Sequence, residues 1–166
     1  VTGVDLAVRS IELSRRHRRV DGLRFVRGDA LSLPFPDDSF DVVVNVESSH
    51  CYPSMAAFLA EVARVLRPGG LFAYADFRPA PEIPALLTRL SEGPLLLQAS
   101  EDISTRVLAA LLADDDRKSG LIDAMVPRPF RRPFRRFAGI RGSSTFARFA
   151  SGELRYLSAQ LSAPRP

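Results

Sequence analysis

Four carboxylates each stand at the end of an apolar run: Asp5 after VTGV, Asp29 after LRFVRG, Glu47 after VVVNV and Asp76 in LFAYAD. If those runs are strands of one parallel sheet, all four reach the same edge, the carboxyl edge on which open α/β sheets bind ligands. An acid at the end of the second strand of a nucleotide-binding half accepts hydrogen bonds from vicinal ribose hydroxyls, which gives Asp5 a use. A second use for Asp5 is to cap the helix after it, because Asp is a good N-cap residue. Asp29 is placed to accept a hydrogen bond from the exocyclic amine of a planar base, with Leu31, Leu33 and Phe35 alternating along the next loop to cover that base. The competing reading folds this loop down onto the core.

The elements that must position these groups alternate strand and helix. A short strand Val1–Asp5 leads into a helix over Ala7–Arg18 with apolar Leu6, Ile11 and Leu13, and the cations Arg15-Arg16-His17-Arg18-Arg19 complement the dipole at its end. A strand Leu23–Arg27 follows. Pro34 and Pro36 then bar helix from Leu31–Asp38, so that segment is an ordered loop. The next strand is Asp41–Val46, whose Val42-Val43-Val44 run suits burial on both faces. A helix over Met55–Leu66 presents Phe58, Leu59, Val62 and Val65 on one face, Arg67-Pro68-Gly69-Gly70 ends it, and Leu71–Phe77 resumes as strand.

Prolines 79, 81 and 84 mark a break, beyond which helices are expected over Glu82–Arg89, Asp102–Ala113 and Lys118–Met125. Asp114-Asp115-Asp116 opposes the dipole of the second of these and marks a terminus or a turn. In Pro127–Phe137, arginines interleave with Phe130, Phe134 and Phe137. That alternation suits an edge strand with one buried face, and it also suits contact with a membrane surface or lipid head group. Glu153–Leu161 is the last strand. The fold class is α/β.

A chain of 166 residues, 46% hydrophobic and 25% charged, fits one globular domain and is too apolar for intrinsic disorder. No run approaches the roughly 20 apolar residues that span a bilayer, and Val1–Arg9 has no signal-peptide pattern. The lone Cys51 has no partner for an internal disulfide, which fits a reducing compartment and a cytoplasmic location. Lys118 is the only lysine among 23 basic residues. Such an excess of arginine serves bidentate contacts to anions or reflects gene composition. No zinc-finger ligand pattern or RNA-binding aromatic spacing accompanies it, so no nucleic-acid partner is expected; His17 lacks neighbours at metal-ligand spacing, and no metal is expected.

The ordered set VTGVDLA, FVRGDALSLPFPDDSFDVV, NVESSHCYP, EVARVLRPGG and YADF resembles the class I S-adenosylmethionine-dependent methyltransferases over at least Val1–Phe77. More narrowly, NVESSHCYP, YADFR and FASGELRY resemble the mycobacterial phthiotriol/phenolphthiotriol dimycocerosates methyltransferases and related small-molecule O-methyltransferases. The resemblance implies a Rossmann-like sheet with an antiparallel C-terminal edge strand and S-adenosylmethionine as cofactor. The family's first strand and glycine-rich loop are missing before Val1, so residues 1–166 are expected to form a partial, N-terminally truncated domain. By the same resemblance, Asp5 holds the ribose hydroxyls, Leu6 packs at the adenine, Asp29 bonds the adenine amine with Ala30 beside the ring, and Asn45 lies by the methionine portion. His50 and Asp76 match a catalytic pair in which His takes the acceptor proton and Asp supports it, and Glu47 is a secondary orienting or basic residue. The implied acceptor is a hydroxyl on a lipidic polyketide, glycolipid or similar small molecule, reached with or without peripheral membrane contact or homo-oligomerisation. Two rivals stay open: a nicotinamide-dependent dehydrogenase, also compatible with Asp5, and an inactive remnant or interaction domain on the same fold.

Overall fold

The structure is a computed structural model that describes residues 1–18 and 20–165; Arg19, the last residue of the cationic cluster, lies outside the described residues. Its first unit is small. Strand β1 (Thr2–Asp5) and strand β2 (Arg24–Arg27) pair in parallel, connected by helix α1 (Val8–His17). Arg15 ties the end of α1 to β2 by donating to the Phe25 carbonyl from both Nε and Nη2, at 3.0 and 2.6 Å.

The larger unit is a mixed sheet of strands β3 (Phe40–Val46), β4 (Leu66–Pro79), β5 (Leu96–Asp102) and β6 (Leu154–Ser162), in the spatial order β3-β4-β6-β5. β3 and β4 are parallel, while β6 runs antiparallel to both of its neighbours. The antiparallel C-terminal strand expected from the sequence is present, but it lies inside the sheet. The edge belongs to β5, a strand absent from the sequence reading because its polar second half, Gln98–Asp102, carries little apolar pattern.

Helix α2 (Met55–Val65) explains why the core lies where it does. Ser54 caps it by accepting the Ala57 N–H, and Met55, Phe58, Leu59 and Val62 fall on one buried stripe. That stripe packs against Leu66, Phe72 and Tyr74 of β4, Leu157 and Leu161 of β6, and Leu86 and Leu90 of helix α3 (Ile83–Ser91). Burying each of the larger apolar side chains contributes about 2 kcal/mol. A smaller cluster on the opposite face joins Phe77, Phe149, Leu154 and Tyr156 to Val107, Leu108 and Leu111 of helix α4 (Ser104–Ala113). Helices α5 (Asp115–Met125), α6 (Arg131–Phe137) and α7 (Ser144–Ala150) complete the chain. Asp115 and Asp116 lie in the first turn of α5, where their charge favours the dipole they oppose at the end of α4.

Three expectations are corrected. Pro127–Phe137 is a 3₁₀ turn followed by α6, not an edge strand, because Phe130, Phe134 and Phe137 recur at four and three residues, and Pro133 sits in the first helical turn, where no intrahelical N–H is needed. β3 is not buried on both faces: Val42, Val44 and Val46 are 52%, 65% and 56% exposed, and among the described residues no helix covers that side. Arg67-Pro68-Gly69-Gly70 does not itself end α2; α2 ends at Val65, Leu66 is already extended, and the four residues form an irregular start to β4.

Candidate active site

The carboxyl ends of β1 and β2 lie side by side, since Asp5 is in register with Arg27 and the Gly28 N–H donates to the Asp5 carbonyl at 3.1 Å. Each acid there uses one oxygen to shape its own turn. Asp5 Oδ1 accepts the Ala7 N–H at 2.7 Å, and Asp29 Oδ1 accepts the Leu31 N–H at 2.9 Å. Asp5 is not the N-cap of α1, a position held by Ala7 without a side-chain bond. The Oδ2 atoms of both acids are bonded to no other described residue, and both side chains are exposed. Leu6 beside Asp5 is exposed; Ala30 is half-buried and packs with Leu31 against the main core. Gly28 sets the turn, as a Cβ there would lie 2.7 Å from Pro34 Cδ and 3.0 Å from Val4 Cγ1.

The loop after Asp29 is held down from α2. Glu61 Oε2 accepts the Leu33 N–H at 2.6 Å, while Arg64 donates to the Phe35 carbonyl at 2.7 Å, to the Leu33 carbonyl at 3.0 Å and to Asp37 at 2.9 Å. Hydrogen bonding to Arg64 keeps the Glu61 carboxyl below its ordinary pKa, against the opposing effect of burial. Leu31, Leu33 and Phe35 are half-buried at alternate positions, so the loop is folded onto the body of the protein.

A second polar group is built at the ends of β3 and β4. Asn45 is paired with Tyr74 and Val46 with Ala75, so Glu47 and Asp76 come next on adjoining strands. Asp76 is fully buried and saturated with donors. Its Oδ1 faces His50 Nδ1 at 2.8 Å and accepts the Phe77 N–H at 2.8 Å; its Oδ2 accepts the Ser49 hydroxyl at 2.6 Å and the His50 N–H at 2.9 Å, with Arg78 Nη1 at 3.2 Å. Burial alone would push this carboxyl up. The bonds from Ser49 and His50, the charge of Arg78 and the Phe77 N–H outweigh it and hold the group below the ordinary carboxylate range.

An ionised Asp76 can only accept, so His50 Nδ1 carries the hydrogen, and in the neutral ring the lone pair is then on Nε2. The ring also packs against Phe77 at a tilt of 35°, with centroids 4.6 Å apart, and its side chain is 29% exposed. Asp76 therefore fixes both the tautomer and the backbone of the histidine.

Glu47 closes the other side. Its backbone is left-handed, at φ 50°, an unfavourable state for a residue with a Cβ, and its Oε1 accepts the Tyr156 hydroxyl at 2.8 Å. Burial, then the neighbouring Glu47, raises the Tyr156 phenol well above its usual range, so it remains a donor. Asn45 is buried; its Nδ2 donates to Ser48 Oγ at 2.8 Å and Tyr52 Oη at 3.1 Å, while its Oδ1 is buried without a partner. An orphaned acceptor of that kind costs about 1–3 kcal/mol unless a ligand donor reaches it.

The structure thus places Glu47, His50 and Asp76 together, with Asn45 on the strand beneath Glu47, and brings Asp5 and Asp29 together at the ends of the β1–β2 pair. Sequence reasoning missed Ser49, Arg78, Tyr74 and Tyr156. Tyr74 and Arg78 were within reach of it from Asp76, since alternate residues of a strand share a face. Tyr156 was not, lying 109 residues from Glu47. Among the described residues no His, Cys, Asp and Glu cluster could hold a metal ion.

Comparison with known proteins gives this edge its context. Residues 1–74 match the methyltransferase domain family. The chain is 46% identical over 155 residues to the phthiotriol/phenolphthiotriol dimycocerosates methyltransferase of Mycobacterium tuberculosis, covering 93% of this chain and 57% of that protein. It is 45% identical over 130 residues to the fatty-acid O-methyltransferase of Mycolicibacterium smegmatis, covering 78% and 47%. The chain spans about half the length of these curated relatives. Among solved structures, phosphoethanolamine N-methyltransferase 2 of Haemonchus contortus, in complex with S-adenosyl-L-methionine, shares the fold at a TM-score of 0.77 and 14% identity, covering 99% of this chain and 43% of that one. On its sequence, its mixed sheet and the relatives it aligns with over nearly its whole length, the chain has the α/β fold of the class I S-adenosylmethionine-dependent methyltransferases, and its residues 1–74 match the methyltransferase domain family.

Proposed function

We propose that this chain forms part of an S-adenosylmethionine-dependent O-methyltransferase that acts on a hydroxyl of a lipidic polyketide, glycolipid or similar small molecule. The observation that carries the reading is the His50 ring, held through Nδ1 by a buried, ionised Asp76 at the strand ends next to Glu47. The residues present suit the cofactor. Asp5 Oδ2 is open to ribose hydroxyls and Asp29 Oδ2 to the adenine amine, with Leu6 and Ala30 as apolar neighbours; the orphaned Asn45 Oδ1 suits a donor of the methionine portion. When bound, S-adenosylmethionine supplies a methyl group already activated on a sulfonium.

What the chain adds is proton management and alignment. His50 Nε2 takes the proton of the acceptor hydroxyl, and Asp76 stabilises the imidazolium that results. Arg78 keeps Asp76 ionised while this happens. Glu47, oriented by Tyr156, accepts a hydrogen bond from a second hydroxyl of the acceptor molecule and fixes its approach. The names of the mycobacterial relatives support a lipidic acceptor. A cytoplasmic location belongs to the same reading, since the exposed, unpaired thiol of Cys51 suits a reducing compartment.

The test is a calorimetric titration with S-adenosylmethionine joined to a labelled-methyl transfer assay on long-chain lipid alcohols. His50→Ala should lower turnover by about 10²-fold or more while leaving cofactor affinity within a factor of a few. Undiminished turnover removes His50 as the base. Asp5→Ala should weaken cofactor affinity about ten-fold, the loss of roughly one charged hydrogen bond.

A further inference from the structure

We propose that α6 and the turn leading into it are a docking surface for an anionic lipid bilayer. The proposal uses no residue of the candidate site and does not depend on methyl transfer.

From Ala124 to Gly152 the chain contains no acidic residue, while arginine occurs at 128, 131, 132, 135, 136, 141 and 148. Arg131 and Arg135 are spent internally, pairing with Asp123 of α5 and fixing the α5–α6 hairpin. The guanidinium groups of Arg128, Arg132, Arg136 and Arg141 have no acidic partner among the described residues; Arg141 meets Asp115 only through its backbone N–H. Against this charge stand three phenylalanines at four- and three-residue spacing, which share one side of the helix: Phe130, Phe134 and Phe137 are 60%, 52% and 89% exposed. Met125, just before the turn, is exposed as well. Arg132, Arg136 and Arg141 also line an open cleft of about 1020 Å³, together with Ser143 and Ser144.

Three rings left in water on α6 and the turn before it forfeit their transfer free energy unless something apolar receives them. A bilayer interface receives the rings and the charges at once. Phe side chains enter the acyl boundary, and arginines on the flanks reach the head-group phosphates. A soluble polyanion would engage the arginines and leave the rings idle, which is why the combination favours a membrane. A surface of this kind would bring the protein to substrates that reside in lipid.

The chain contains no tryptophan, so Phe137→Trp creates a single fluorescent reporter at the most exposed ring. With vesicles of equal parts phosphatidylglycerol and phosphatidylcholine, its emission should shift to the blue and the protein should sediment with the lipid. Pure phosphatidylcholine should give neither effect, and added salt should weaken both. Arg132→Glu with Arg136→Glu should lower partitioning by about 30-fold or more, at roughly five-fold per lost surface charge. Phe130→Ser with Phe134→Ser should lower it independently, with unchanged far-ultraviolet circular dichroism as the control for folding. Absence of a blue shift with the anionic vesicles overturns the proposal. So does heparin or an oligonucleotide competing fully while the Phe130→Ser, Phe134→Ser variant binds vesicles as tightly as the parent, which would assign the surface to a soluble polyanion.

Discussion

Asp76 makes more contacts than any structural cap needs, and its charge is the reason they hold. Five donors or cations converge on a carboxylate with no access to water: His50 by ring and backbone, Ser49, Phe77 and Arg78. Asp76→Asn keeps the shape and removes the charge, leaving Arg78, 13% exposed, without its counter-ion. Removing one partner of a buried pair costs about 3 kcal/mol, which chemical denaturation at neutral pH should read as a matching loss of stability. The cost depends on pH in a definite direction. The folded pKa of Asp76 lies below the unfolded value of about 4, so its contribution is complete above that value and disappears as the pH falls through the folded one. The gap between the parent and Asp76→Asn should therefore be full at neutral pH and close on acidification below about pH 4. A gap that persists unchanged in acid would mean that packing, not charge, sets the energy.

At the scale of elements, the loop between β2 and β3 owes its path to α2. Arg64 alone fastens Leu33, Phe35 and Asp37, and Glu61 fastens both Leu33 and Arg64. Arg64→Ala should cost about 2 kcal/mol, because it frees partly buried carbonyls, and should speed exchange of the Leu33 amide hydrogen while leaving the amides of β4 and β6 unaffected. Unchanged Leu33 exchange would show that Pro34 and Pro36 hold the loop without help. Such ties explain what the sequence did and did not disclose. The strands ending at Asp5, Asp29 and Glu47 were legible because apolar runs broken by polar turns are local signals, and His50 and Asp76 were legible through the motifs around them. Glu61 and Arg64 read only as the polar face of an amphipathic helix, since their partners in the loop lie 27 to 31 residues away. The Phe130–Phe137 stretch was misread because interleaved Arg and Phe imitate strand alternation, whereas the exact intervals between the rings are helical. β5 was invisible for a different reason. An edge strand gains its order from the neighbour it pairs with, and β6 is far along the chain.

In the molecule as a whole, stability is distributed unevenly between its two units. The mixed sheet is sandwiched by α2 and α3 on one face and α4 and α7 on the other, whereas among the described residues of 1–27 only Ile11 is a buried hydrophobic. Val4, Leu6, Val8, Leu13 and Val20 of that first unit are exposed. With so little apolar surface removed from water, the β1–α1–β2 unit opens without unfolding the sheet beside it. Hydrogen exchange should show its amides exchanging about 100-fold faster, or more, than those of β4 and β6. That unit also carries Asp5 and Asp29, so under the proposed function cofactor binding should act on it first. A ligand at a hundred times its dissociation constant stabilises the form that binds it by about 2.7 kcal/mol, equivalent to roughly 100-fold slower opening. Saturating S-adenosylmethionine should therefore slow exchange in β1, α1 and β2 by up to that factor, with a smaller effect on the interior of β6. Uniform protection of both units in the free protein would refute the two-unit account, and protection confined to β4 and β6 on adding the cofactor would remove Asp5 and Asp29 from its binding site.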